Sequence, residues 1–255
     1  MSRANKNNSI SAHLLLWVLF SLSLVGCSLR PSKDYYDPNF VCFNEPGWRN
    51  QKDFKQYIEK IWFPVRLLYS EDNKSKKSSR VVFVGNSLVH LFLPELIKKE
   101  FPNQSVTNRG IGGDMTETLL SRIQEDVLTL SPSVIVMEIG GNDMIQGKCL
   151  SLVQRNFQSI IETVHKKNPS IRVIVMAVPP TKVRELNQIV PVYNLFLSNF
   201  ARKTKNVEYV EVWDDLRKPD ELFLREEFVR DNGDKLHFNE KGYEIWGKKL
   251  RPLVP

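Results

Sequence analysis

From Val81 onward the chain alternates short, β-branched apolar runs with longer amphipathic stretches, a rhythm that few folds accept. The runs cover 81–84, 105–108, 134–139, 173–178 and 207–212, short and rich in β-branched residues, the first, third and fourth apolar on most consecutive positions as strands buried on both faces are. Between them, helical spacing appears near 89–100, 115–128, 151–167 and 191–204, with a last stretch near 240–250. Strands that alternate with helices predict an α/β chain: a three-layer α/β/α sandwich around a central parallel sheet of about five strands. Such sheets bind ligands outside the carboxyl ends of their strands. Ser87 follows the first run, Gly113 lies in the loop after the second, and Asn142 follows the third, so one edge should collect all three.

The 255 residues hold one ordinary domain plus an extension, and 42% hydrophobic with 25% charged residues suits a globular chain. The formal charge of +7 is spread over helix faces with no arginine-rich block, which argues against nucleic acid as a partner. Arg3 and Lys6 precede an apolar stretch from Ile10 to Val25, and Leu24-Val25-Gly26-Cys27 follows. That order marks an export signal, and its ending resembles the bacterial lipobox, which implies lipidation of Cys27 and a membrane-anchored envelope lipoprotein. An uncleaved signal anchor is the alternative. The expected organisation is a signal peptide over 1–26, an extension and linker over 27–80, and the main domain over 81–255.

Cys42 and Cys149 remain, and an exported chain can join them; two free buried thiols fit the sequence equally well. No Cys-x-x-Cys or His-x-x-x-His spacing points to a metal, and no phosphate-cradling loop follows the first run, so no cofactor is expected. Residues 28–50 are irregular and rich in Pro, Asn and aromatics. Phe54, Tyr57, Ile58, Ile61, Trp62, Val65 and Leu68 then repeat at helical spacing across Pro64. That helix suits a cap over the site, a face turned to a membrane, or an added layer on the core. The polar stretch 71–80 reads as an exposed linker.

Four distant stretches carry the chemistry: Gly85-Asn86-Ser87-Leu88, Gly112-Gly113-Asp114, Gly140-Gly141-Asn142-Asp143 and Asp234-Lys235-Leu236-His237. They supply a hydroxyl, a backbone N–H donor, a side-chain amide and a carboxylate–imidazole pair, the groups acyl transfer needs at one point. In this order they resemble the motif blocks of the SGNH (GDSL-like) hydrolase superfamily over about residues 80–251. Gly110-Ile111-Gly112-Gly113-Asp114 and Leu236-His237-Phe238-Asn239 are most similar to its platelet-activating-factor acetylhydrolase-like branch.

The resemblance implies a flavodoxin-like fold and a serine ester hydrolase working through an acyl-enzyme intermediate. Ser87 would be the nucleophile, His237 the general base, and Asp234 the acid that orients it, chosen over nearby Asp231 by the family spacing. Ser87 N–H, Gly113 N–H and the Asn142 amide would form the oxyanion hole, with Gly113 letting the backbone approach substrate closely. Asn86 departs from the usual Gly-Asp-Ser, keeping the acid's shape without its charge. His90 suits the site entrance or plain surface. Pro179, Pro180 and the insertion 214–231, with Leu222, Phe223, Leu224 and Phe228, could wall an acyl chain or pack inward. The expected substrate is an O-acyl ester, lipid or acylated glycan. O-acyl transfer to envelope glycans and a non-catalytic lipoprotein that keeps the fold are the alternatives.

Overall fold

The computed structural model describes residues 33–76, 78–230 and 233–255. The expected signal peptide over 1–26, Cys27 and Asp231 lie outside them. In chain order the elements are α1 (Gln51–Tyr57), a π-helical turn (Ile58–Trp62), α2 (Phe63–Ser75), β1 (Val81–Gly85), α3 (Ser87–His90) and α4 (Pro94–Glu100). There follow β2 (Val106–Gly110), α5 (Thr116–Asp126), β3 (Val134–Glu138), α6 (Gly141–Ile145), α7 (Leu150–Lys167) and β4 (Arg172–Met176). The chain continues through α8 (Arg184–Lys203), β5 (Val207–Val210), α9 (Trp213–Leu216) and α10 (Glu240–Leu250).

All four strand pairings are parallel, in the order β2-β1-β3-β4-β5. Alternate side chains feed two cores, as the pleat requires. Val82, Val84, Ile135, Met137, Val173 and Val175 pack with apolar residues of α5, α7 and α8. Val81, Phe83, Val134, Val136, Ile174 and Met176 pack on the other face with α3, α4 and α10. The three-layer expectation holds. The order reverses direction between β1 and β3, and a crevice opens at that switch point.

Three expected boundaries move, each for a local reason. The helix expected over 89–100 is two, because Pro94 forces Leu93 into extended backbone and opens α4 afresh. The helix expected from 191 begins at Arg184 and carries Pro191 inside it, where burial of Leu186, Ile189, Val190 and Tyr193 outweighs the lost N–H. The linker expected over 71–80 is helical as far as Ser75. Its polar residues are committed to the domain: Asp72 pairs with Arg109 at 2.5 Å, and Asn73 donates to the carbonyls of Glu125 and Asp126.

The segment before α1 is fastened to the loop ahead of α7. Cys42 and Cys149 are disulfide-bonded, Phe43 bridges Lys148 as a β pair, and Tyr35 Oη donates to the Lys148 carbonyl at 2.5 Å. Among the described residues no helix is long and apolar enough to cross a membrane.

Candidate active site

β1 ends at Gly85, where φ is +151° and a Cβ would lie 1.9 Å from the Glu138 carbonyl oxygen, so only glycine lets β1 and β3 close here. The backbone then turns sharply. The Asn86 side-chain oxygen accepts from Leu88 N–H at 2.9 Å and caps α3, a single turn that begins with Ser87. From the far end of the chain comes His237, whose Nε2 lies 2.7 Å from Ser87 Oγ. Its Nδ1 lies 2.8 Å from Asp234 Oδ2. Asp234 Oδ1 also accepts the backbone N–H groups of Leu236 at 2.9 Å and His237 at 3.0 Å, so one carboxylate shapes the loop and orients the ring. Burial works to raise the Asp234 pKa, but those N–H donors and the imidazole outweigh it and hold the carboxyl below its usual range. Asn239, not Asp234, caps α10 by accepting from Lys241 N–H.

Asn142 projects from the first turn of α6 into the crevice beside Ser87. Its Nδ2 donates one hydrogen to the Asp114 carbonyl at 2.9 Å, which leaves the second N–H free to face a substrate. Gly112 adjoins the serine, since a Cβ there would sit 3.9 Å from Ser87 Cβ. Gly113 has φ +85°, and a Cβ on it would strike the Tyr57 ring at 2.6 Å. The glycine is therefore demanded by the turn and by Tyr57 behind it, a different reason from the close substrate approach expected.

Sequence reasoning missed what holds these donors. Asp114 and Arg122, both fully buried, pair at 2.7 Å, and Arg122 also donates to the carbonyl of Arg109. Trp62 Nε1 donates to Asp114 Oδ1 at 3.1 Å, and Tyr69 Oη donates to the Gly110 carbonyl. Asp143 accepts from Thr116 through both N–H and hydroxyl. The extension thus braces the loop after β2, and no residue of 51–75 lines the crevice, so it is an added layer and not a cap. The acids that end the second and third motif blocks were the available signal.

The crevice is about 40 Å³ and is lined by Asn86, Ser87, Glu138, Asn142, Val178 and Pro179 on its inner side. Ile145, Leu186 and Leu236 line its mouth and also a wider groove of about 540 Å³ that reaches Val183 and Lys33. Pro180 is absent from the lining. In the 214–231 insertion, Leu224 and Phe228 pack into the core, Leu222 is exposed, and Phe223 also stays out of the crevice. His90 faces outward at the surface, its Nδ1 2.9 Å from the Gly110 carbonyl.

The pattern of the GDSL-like lipase/acylhydrolase family matches residues 83–245. Human platelet-activating factor acetylhydrolase IB subunit alpha1 is 29% identical over 140 residues, which is 51% of this chain and 59% of that protein. The match therefore spans less than two thirds of that relative. A structure from Streptococcus pneumonia, named as that of a platelet activating factor, superposes with a TM-score of 0.71 at 23% identity over 80% of this chain and 98% of that one. A GDSL-like lipase from Bacteroides thetaiotaomicron gives 0.64 at 22% identity over 73% and 95%. At such identities these two structures speak for the fold.

Proposed function

The chain belongs to the GDSL-like lipase/acylhydrolase family, and on that premise we propose that it is a serine ester hydrolase working through an acyl-enzyme. The observation that carries this reading is the His237 ring, which bridges Ser87 Oγ and Asp234 with one nitrogen on each. Ser87 Oγ attacks the ester carbonyl carbon while His237 Nε2 takes its proton. The carbonyl oxygen becomes an oxyanion held by the Ser87 and Gly113 N–H groups and the Asn142 amide. Its collapse breaks the C–O bond to the alcohol, which leaves with the proton from His237. Water then attacks the acyl-serine, His237 again accepts a proton, and the acid departs as Ser87 recovers its hydrogen.

The space beside the hydroxyl is narrow, about 40 Å³, which favours acetyl or another short acyl group. The basic–apolar–small order before Cys27 supports a lipid-anchored chain at the bacterial envelope; labelled palmitate incorporated by the native chain and lost in Cys27→Ala checks it.

One assay tests the chemistry. Purified protein is offered p-nitrophenyl esters from acetate to palmitate, alongside Ser87→Ala and His237→Ala. Turnover should be greatest on acetate and should fall by on the order of 10^4-fold or more in either variant. Retained hydrolysis in either variant defeats the assignment.

A further inference from the structure

Glu138 ends β3, four residues before Asn142, in register with Gly85, which stands two residues before Ser87. It lines the crevice wall, yet its side chain is wholly buried and neither carboxyl oxygen has a hydrogen-bond partner. An unpaired acid in such a place needs an explanation. Asn86 supplies part of it. With Oδ1 committed to Leu88 N–H, its NH2 end is left for the carboxyl, though no formed hydrogen bond joins them. Where the usual first block has an acid, this chain has a neutral amide, and the acid stands instead on the neighbouring strand.

We propose that Glu138 is a positioning residue of the acyl-transfer site: protonated, it leaves the crevice neutral, and when its proton leaves it opposes the oxyanion formed between Ser87 and Asn142. This rests on the ester-hydrolase reading above. A carboxylate there is wholly buried and has no ion-pair partner, so its field would act more strongly than in water on charge developing in the same crevice. Burial pushes the Glu138 carboxyl up to about 8, with the Asn86 amide pulling the other way. The group would therefore be neutral at pH 7 and charged at pH 9.

The groups that face it do not alter that sign. Tyr193 of α8 and Tyr243 of α10 feel its charge, and burial raises both phenols so that they stay neutral through this range. Arg122 of α5 spends itself on Asp114 and on backbone carbonyls, including that of Gly85 at 3.4 Å. Asp143 of α6, a further acid acting on Tyr193, is hydrogen-bonded to Thr116 and raised by burial to about 7, so its charge adds in the same sense but enters earlier and is present in Glu138→Gln as well. His237 shares the crevice and pairs with Asp234.

The test is the pH dependence of kcat/KM on p-nitrophenyl acetate from pH 6 to 10, corrected for spontaneous hydrolysis, with the full chain. The native enzyme should lose about tenfold between pH 7 and pH 9. In Glu138→Gln the loss over the same range should be under about twofold. Asn86→Asp puts a like charge against Glu138 and should move the alkaline limb up by about one pH unit. The shape of the profile is the readout, which a merely structural role would not change. An alkaline limb that persists in Glu138→Gln overturns the proposal. If that variant does not fold, a limb unmoved in Asn86→Asp overturns it as well. Ser87→Ala in the same series keeps the two ideas apart, because residual turnover there defeats the hydrolase reading whatever the Glu138 variants do.

Discussion

Asn142 is the residue whose contribution can be isolated most cleanly. One of its amide hydrogens holds the Asp114 carbonyl and the other faces the crevice, so Asn142→Ala removes the proposed oxyanion donor and a tie to the loop after β2. We expect kcat to fall by about 10^2- to 10^3-fold with little change in KM, measured on p-nitrophenyl acetate; a fall mainly in KM would show that the amide binds substrate and not the oxyanion. At this scale much of the site was legible. The motif spacing led to Ser87, Asn142, Asp234 and His237, and the structure brings Ser87, Asn142 and His237 to one crevice with Asp234 behind the imidazole. Glu138 was not legible, because an acid at the end of a β-branched run looks like any strand residue until its burial is known. A second demand on Gly113 was hidden for a similar reason: Tyr57 lies 56 residues away in sequence, and nothing local announces the contact.

Among the elements, β1, β3 and β4 were legible because their centres are unbroken apolar, β-branched runs, whereas β2 and β5 carry polar residues. Helix ends were less so. Pro191 looked like a boundary although α8 runs through it, and the polar run 71–75 looked like linker although its side chains are spoken for by Arg109 and α5. The fastening before α1 could not be decided from two lone cysteines. Its disulfide closes a separation of 107 residues, and chain-entropy reasoning gives such a loop about 4 to 5 kcal/mol. Cys42→Ser with Cys149→Ser should therefore lower unfolding free energy by about 2 to 5 kcal/mol in urea titrations, while kcat at 25 °C holds, since neither cysteine lines the crevice. An unchanged midpoint would mean that the other contacts of the segment carry the load.

For the molecule as a whole, buried acids shape the pH dependence of stability, among them Asp114, which burial raises although Arg122 pulls it down. Burial raises Asp143 to about 7, against the Thr116 hydrogen bonds, and Glu138 to about 8. Both pKa values are higher in the folded than in the unfolded chain, so the native state binds more protons between those values. The stability they contribute is full below about pH 4 and is lost as pH rises through 7 and 8. Urea midpoints should therefore decline from pH 6 to pH 9, and less steeply in Glu138→Gln; midpoints that rise over this range would contradict the burial of these carboxyls. Asp234, held low, works in the opposite sense and only under acid conditions.

The hydroxyl and the imidazole that meet at 2.7 Å are contributed 150 positions apart. A growing chain therefore carries a hydroxyl without its base until the stretch around His237 has been made and has folded against it. On the hydrolase reading proposed above, ester cleavage would report that this meeting has taken place, and a fragment ending before His237 would give none.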